Sequence, residues 1–97
     1  MAQYPLVPRQ GGSNSLLNIT AATVVKATPG TLWTISVTVA GSAAGTASDV
    51  ATTGGVAAGN KIFEIPNTVG VYSLTWPCKA GITITPGTGQ TVSVAYS

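Results

Sequence analysis

The chain has 97 residues, of which four are basic and two acidic, and it contains one cysteine and no histidine. These few groups cannot form the Ser-His-Asp or Cys-His arrangements of hydrolases within the chain, nor a zinc site, and the net charge of +2 is too small and too scattered for a nucleic-acid-binding face. Hydrophobic residues make up 44% of the chain, which is too many for a disordered protein. The charged fraction is only 6%, far below the usual quarter.

The first seventeen residues differ in composition from the rest of the chain. They contain Pro5 and Pro8 and a stretch of Gly, Ser and Asn that follows them. Proline favours an extended path, and such a segment has too few large apolar residues to fold alone. We therefore predict an extended N-terminal arm at residues 1–17 and one domain at residues 18–97. The arm is expected to lie either on its own domain or on a partner subunit.

The arm carries a small group of side chains that are suited to contacts. Tyr4, Leu6 and Val7 are its large apolar residues before Leu16, and Arg9 follows them closely. Tyrosine and arginine are favoured anchors of protein interfaces. We therefore predict Tyr4, Leu6, Val7 and Arg9 as the partner-binding residues.

From residue 18 onwards, apolar and polar residues alternate with a period of two between turn sequences. The β-branched residues Val, Ile and Thr make up about a third of the chain, and they favour strands. The pattern predicts strands at residues 18–27, 31–40, 46–52, 61–65, 71–76, 81–85 and 91–96. An all-β fold follows, a small antiparallel β-sandwich or barrel of six to seven short strands.

The alternation also predicts the side chains that face the core. The inward residues in the three clearest strands are Trp33, Ile35, Val37 and Val39, then Tyr72, Leu74 and Trp76, then Val92, Val94 and Tyr96. Leu32, Thr34, Ser36 and Thr38 are predicted on the opposite face. Four aromatic residues are therefore expected in the core, and the alternative is a carbohydrate-stacking platform with exposed rings and polar neighbours. They are Trp33, Tyr72, Trp76 and Tyr96.

The outer faces are predicted to be covered by Thr, Ser and Gly without charge. Such faces lack the lysines that usually keep sheet edges from pairing, and a free monomer with so little charge would be poorly soluble. We therefore expect much of this neutral surface to be covered by other subunits.

Catalytic and redox chemistry is not predicted. Asp49 and Glu64 are the only side-chain carboxylates, and each is expected to be exposed, hydrogen-bonded or ion-paired, not to form a glycosidase-type pair. Asp49 is expected to anchor residues 45–48 through local backbone hydrogen bonds.

Cys78 is expected to be a small, partly buried apolar side chain, with an intermolecular disulfide or a reactive thiol as the alternative. Residues 54–61 lack the Gly-Lys-Ser/Thr of a P-loop. We predict no enzyme, no cofactor and no metal.

Membrane insertion and export are not predicted either. No stretch approaches 18 consecutive apolar residues. The first residues lack the basic and continuous apolar regions of a secretory signal, so we expect synthesis and assembly in a cytoplasm.

Several turn sequences resemble a family of short virion structural proteins from tailed bacteriophages and prophages. The likeness extends over about residues 19–96 and rests on Ala27-Thr28-Pro29-Gly30, Val39-Ala40-Gly41-Ser42, Gly45-Thr46, Asp49, Asn60, Ile65-Pro66-Asn67-Thr68-Val69-Gly70-Val71-Tyr72, Pro77-Cys78, Gly81-Ile82 and Pro86-Gly87-Thr88-Gly89-Gln90-Thr91. These are turn sequences, and no active-site residue is carried over with them.

The resemblance implies a β-sandwich decoration or cement protein on the capsid surface of a virion assembled in the bacterial cytoplasm. Its partners would be the major capsid protein or other virion subunits, and it would form a homo-oligomer, a trimer or another symmetric cluster. The alternative that the resemblance leaves open is a tail, collar or head-fibre component that contacts glycans of the host surface.

Overall fold

The computed structural model describes residues 14–97, which fold into two four-stranded antiparallel sheets packed face to face. The all-β prediction is confirmed, and the number of strands in this part of the chain is eight instead of six or seven. They are β1 (Asn14–Ile19), β2 (Thr23–Lys26), β3 (Gly30–Val39), β4 (Gly45–Ser48), β5 (Lys61–Ile65), β6 (Gly70–Cys78), β7 (Ile82–Thr85) and β8 (Thr91–Tyr96). Two short 3-10 turns, Thr53–Gly55 and Ala58–Asn60, lie between β4 and β5.

Each sheet has two edge strands. The first sheet has the order β1-β8-β3-β6, and the second has the order β2-β7-β4-β5. The edges β5 and β6 meet on one side of the sandwich, where the rings of Phe63 and Tyr72 lie 6.0 Å apart. Within the first sheet, the central strands β8 and β3 separate the edge strands β1 and β6.

The core lies between the two inner faces. Burial of a large aliphatic side chain contributes about 1.5–3 kcal/mol, and both sheets supply such residues. The fully or almost fully buried apolar side chains are Ile19, Leu32, Ile35, Val37, Ala47, Ile65, Cys78, Ile82, Ile84, Val92 and Val94. The alternation predicted for β8 is confirmed, since Val92 and Val94 are buried and Tyr96 packs against the core.

The predicted strand at residues 18–27 is two strands in different sheets. Asn18 has a φ of 59°, and β1 ends at Ile19, after which residues 20–22 lead to β2 in the second sheet. β1 begins at Asn14, before the predicted domain boundary at residue 18, because Asn14 and Leu16 pair with Tyr96 and Val94 of β8. Residues 14–17 thus belong to the sandwich, and the remainder of the predicted arm lies outside the described residues.

Irregular pairing around Trp33 changes the predicted faces of β3. Leu32 and Thr34 pair with the consecutive residues Tyr96 and Ala95 of β8, so that Trp33 is an extra residue at a β-bulge. The outward prediction for Leu32 is wrong, since Leu32 is completely buried. Trp33 is half-buried, and its indole N–H donates a hydrogen bond to Ser97 Oγ at 3.0 Å.

The far end of β3 departs from the prediction in the same way. Val37 and Val39 pair with the consecutive residues Val92 and Thr91, which makes Thr38 a second extra residue. Val39 was expected in the core and is instead 50% exposed. Bulges re-aim side chains, and the alternation of apolar residues does not reveal where they occur.

Candidate functional site

The four predicted contact residues, Tyr4, Leu6, Val7 and Arg9, lie outside the described residues. The structure does show where the chain that carries them joins the domain. Residue 14 begins β1, which is an edge strand of the first sheet. The predicted contact segment is therefore covalently joined to that edge.

The outer face of the first sheet consists of small, neutral side chains. The strand register places Ser15, Ala95, Thr34 and Ser73 in one row across the four strands. The next row contains Ser93 and Ser36 and ends at Val71. The four strands that form this sheet carry no Asp, Glu, Lys or Arg. We call this surface, with its two edges, the neutral face.

The charged groups of the described residues all lie elsewhere. Lys26 is on β2, Lys61 and Glu64 are on β5, and Asp49 and Lys79 are in loops. The two edge strands of the second sheet thus each carry lysine, which discourages pairing with another strand, whereas the edges of the first sheet have no such protection.

Large apolar side chains border the neutral face. Leu17 on β1 is 69% exposed, and Val71 on β6 is 68% exposed. Val69, just before β6, is also exposed. Together with the absence of charge, these side chains make the first sheet the surface that is best suited to contact another protein.

One end of the sandwich is held by a network of polar side chains that join three loops. The Asn67 side chain accepts a hydrogen bond from Gly41 N–H at 2.6 Å and donates one to the carbonyl oxygen of the same residue. The fully buried Gln90 accepts from Gly87 N–H and donates to the Pro66 carbonyl oxygen at 2.9 Å. Residues 39–42, 65–72 and 86–91 contribute the turns that meet at this end, where these side chains hold the loops together.

Asp49 binds the turn that follows β6. Its carboxylate accepts hydrogen bonds from the backbone N–H groups of Lys79, Ala80 and Gly81 at 3.0, 2.8 and 3.3 Å. Burial acts to raise the pKa of Asp49, but these backbone donors outweigh it and hold the pKa below its ordinary value. The predicted hydrogen-bonding role is correct, but the segment that Asp49 anchors is residues 79–81 and not residues 45–48.

Trp76 lines a shallow cavity at the side of the sandwich where β5 and β6 meet. The cavity has a volume of about 230 Å³ and is lined by Asp49, Gly59, Asn60, Lys61, Ile62 and Trp76. Trp76 is 48% exposed, so the prediction that it is buried in the core is wrong. Tyr72 and Leu74, predicted on the same face, are half-buried and pack against the core.

The backbone before Trp76 explains why the periodicity did not reveal its exposure. Leu74 and Thr75 together lie opposite Trp33, between the paired residues Ser73 and Trp76. Thr75 has a φ of 53°, a conformation that β-branched residues rarely adopt. A glycine or asparagine would have signalled such a position, but threonine gives no sign of it in the sequence.

The other candidate reactive groups have structural surroundings. Cys78 is a buried free thiol, and burial, followed by the nearby negative charge of Asp49, raises its pKa to about 11. The thiol is therefore protonated at neutral pH and is a poor nucleophile. Glu64 forms an exposed ion pair with Lys61, with 3.3 Å between Oε2 and Nζ. Within residues 14–97, no three of the metal-binding side chains His, Cys, Asp and Glu are grouped.

None of the helical segments within residues 14–97 has the length and hydropathy to cross a membrane. Comparisons of the chain with protein-family models, with curated proteins and with solved structures find no match.

Proposed function

We propose that this chain is a non-enzymatic structural protein of a bacteriophage virion, a decoration or cement protein that binds the assembled capsid. The observation that carries the proposal is the neutral face, because every charged residue within residues 14–97 lies outside the strands of that sheet. The resemblance of the turn sequences to phage virion proteins supplies the kind of particle.

The neutral face suits a protein partner for an energetic reason. Removing a charged side chain from water costs far more than removing a methyl or hydroxyl group that finds a partner. A sheet of Ser, Thr and Ala that is bordered by Leu17 and Val71 can therefore be covered at small cost. The unprotected edges β1 and β6 also offer backbone groups to a neighbouring strand.

The area of the neutral face indicates that the arm contributes to binding. Four strands of six to ten residues present roughly 500 Å² at ordinary strand dimensions. A stable interface usually takes about 800 Å² from each partner. The segment with Tyr4, Leu6, Val7 and Arg9 joins the sandwich at β1 and would supply further area on the neighbouring capsid subunit.

A neutral face is also compatible with symmetric copies of the chain. A surface with charges of one sign brings like charges together when it meets its own copy across a two-fold axis, whereas a neutral surface does not. Binding to the assembled shell, and not to free subunits, would stabilise the shell by mass action. We therefore place the chain on the capsid surface, with the major capsid protein or other virion subunits as its partners.

Occupancy of capsids by charged variants tests the proposal. We expect Val71→Lys to lower the number of copies bound per capsid, because it places a charge on the neutral face. Thr53→Lys is the matched control, since Thr53 is exposed in a 3-10 turn that joins two strands of the second sheet. Occupancy is measured by quantitative mass spectrometry of purified particles. Equal occupancy of the two variants would contradict a role for the neutral face.

The arm is tested separately by deletion of residues 2–12. We expect this variant to fold and to lose capsid occupancy, because the deletion removes the four predicted contact residues and leaves β1 intact. Undiminished occupancy would exclude the arm from binding.

A second candidate function is a tail, collar or head-fibre component that contacts glycans of the host surface. The half-exposed Trp76 with its polar neighbours favours this alternative. A low-resolution map of the particle separates the two, since it places the domain either on the capsid shell or on the tail or fibre.

A further inference from the structure

We propose that the cavity beside Trp76 is a binding site for a single neutral pyranose ring, with the indole as the stacking surface. The proposal rests on the residues around Trp76 and is independent of where the chain sits in a particle. It would hold for a decoration protein and for a fibre component alike.

The first observation is the exposure of Trp76 in a concave setting. A tryptophan that is 48% exposed keeps much of its apolar area in contact with water, which costs free energy unless a ligand covers it. The ring is not isolated on a flat surface, because it forms part of the wall of a cavity of about 230 Å³. Pockets for drug-sized ligands have roughly 300–1,000 Å³, so this one is suited to one ring.

The second observation is the strained backbone that immediately precedes Trp76. Thr75 adopts a φ of 53° within a bulge, and such a conformation costs of the order of 1–3 kcal/mol for a residue that is not glycine. Bulges next to binding sites commonly re-aim a side chain. Here the bulge lies directly before Trp76, which lines the cavity. We infer that the strained backbone at Thr75 serves to hold the ring of Trp76 in that position.

The third observation is that polar and charged residues line the cavity together with Trp76. Three backbone N–H groups occupy most of the roughly four acceptor positions of the Asp49 carboxylate, which leaves one for a ligand hydroxyl. Lys61 also lines the cavity, and its ammonium group forms an exposed ion pair with Glu64. Hydroxyl groups of a sugar can both donate to the carboxylate and accept from the ammonium.

The cavity wall is also held in place before any ligand binds. The Asn60 side chain accepts from Ala57 N–H at 3.0 Å and donates to the Gly55 carbonyl oxygen at 2.8 Å. Asp49 N–H donates to the Asn60 carbonyl oxygen at 2.8 Å, which ties this loop to the residue that anchors the next turn. A site that is already ordered loses less conformational entropy on binding.

The charges favour a neutral sugar over a charged one. Asp49 and Lys61 contribute opposite charges to the lining, and Glu64 partly neutralises Lys61. A protein partner is less suited to this site, because the core of a protein interface is depleted in charged residues, whereas Asp49 and Lys61 line this cavity. The neutral face on the first sheet is the better surface for a protein.

The test is an NMR titration of the whole chain with the neutral methyl glycosides of glucose, galactose, mannose and N-acetylglucosamine, and with glucuronic acid as a charged comparison. We expect saturable binding of at least one neutral glycoside with a roughly millimolar dissociation constant. The shifted resonances should be the Trp76 indole N–H and the amides of Gly59, Asn60 and Lys61.

Two pairs of variants complete the test. Trp76→Ala should weaken binding by at least about tenfold, while Val71→Ala, at a more exposed apolar residue elsewhere on β6, should leave it unchanged. Lys61→Met should weaken binding, and Lys26→Met on β2 should not. Wild-type mapping keeps the test decisive if Trp76→Ala fails to fold.

Three outcomes would overturn the proposal. They are no saturable binding by any glycoside to the folded wild type, shifts that map away from the cavity, and binding that survives Trp76→Ala. Tighter binding of glucuronic acid than of every neutral glycoside would overturn the assignment to neutral sugars. Failure of this test leaves the capsid-occupancy experiments unaffected, since those use a different face of the molecule.

Discussion

At the scale of single residues, Asp49 makes more hydrogen bonds to the backbone through its side chain than any other charged residue in the described part of the chain. One carboxylate accepts three consecutive backbone N–H groups, which fixes the turn between β6 and β7 and thereby connects the two sheets. The same turn lies beside the Trp76 cavity. Hydrogen bonds to a charged acceptor are stronger than neutral ones, so the stability of this end of the sandwich depends on the ionised carboxylate.

We expect Asp49→Ala to lower the free energy of unfolding by about 1–3 kcal/mol, because three backbone N–H groups lose their acceptor. Those N–H groups that are partly exposed would then have only water as a partner. Glu64→Ala is the control, and it should change the free energy by less than about 1 kcal/mol, since its ion pair with Lys61 is exposed. Urea unfolding followed by tryptophan fluorescence measures both. Equal losses in the two variants would show that Asp49 is not an anchor.

The same carboxylate predicts how stability depends on pH. The pKa of Asp49 is lowered in the folded state, so its contribution is fully present above its unfolded pKa of about 4 and is lost as the pH falls through the lower folded value. Asp49→Asn should therefore flatten the loss of stability that urea unfolding measures in the wild type below about pH 4. A wild-type slope retained in Asp49→Asn would assign acid sensitivity to other groups.

At the scale of elements, the bulge shared by β3 and β6 decides where two tryptophans and a leucine lie. Trp33 is the extra residue relative to β8, and Leu74 with Thr75 lies opposite it on β6. The change of register buries Leu32 and leaves Trp33 half-buried. On β6, which is an edge strand, only the neighbouring strand β3 has to adapt to the two residues Leu74 and Thr75.

We expect Thr75→Gly to be neutral or to raise the free energy of unfolding by up to about 1 kcal/mol, because glycine adopts a φ of 53° without strain. Ser73→Gly, two residues away in the same strand with ordinary strand conformation, should lower it by about 0.5–1 kcal/mol. The difference between the two midpoints of urea unfolding is the measurement. A Thr75→Gly variant less stable than Ser73→Gly would show that the bulge is not strained.

The sequence predicts strands well where alternation is regular and fails where the backbone departs from it. Val92 and Val94 were placed correctly because β8 continues without an extra residue. Leu32 and Trp76 were placed wrongly because a bulge depends on local φ angles, which Thr75 does not signal. The predicted strand at residues 18–27 included only the end of β1, because residues 14–17 show no alternation of apolar and polar residues.

The candidate site was predictable only in its chemistry. The scarcity of charge and the Ser- and Thr-rich strands predicted a neutral surface, but alternation alone cannot tell which sheet a strand joins. The strand order explains why Lys26, Lys61 and Glu64 lie outside the first sheet, because β2 and β5, which carry them, are edge strands of the second sheet. The Trp76 cavity depends on the bulge and on loop residues distant in sequence, and for that reason it could not be derived.

At the scale of the whole molecule, the two sheets differ in the charged side chains that they present to solvent. The second sheet has lysines on both edge strands and ion-paired groups around it, as a sheet exposed to solvent requires. The first sheet has neither, although it is accessible on its outer face and at both edges. A domain with one protected and one unprotected sheet is suited to a fixed orientation on a surface, with the second sheet towards solvent.

This difference predicts how the isolated domain behaves as its concentration rises. We expect the wild type to associate reversibly through the neutral face, because nothing charged on that sheet opposes contact between two copies. Leu17→Lys should shift the equilibrium towards monomer, since Leu17 is 69% exposed on the unprotected edge strand β1 and a lysine there adds the missing protection without disturbing the core.

Sedimentation velocity over a range of concentrations measures the effect, with Thr53→Lys as the control for net charge alone. Both variants raise the net charge by the same amount, so general repulsion would act on them equally. A shift towards monomer in Leu17→Lys but not in Thr53→Lys would locate the contact on the first sheet. An equal shift in both would attribute association to low net charge, and a wild type that stays monomeric at every concentration would mean that the neutral face needs a different protein to cover it.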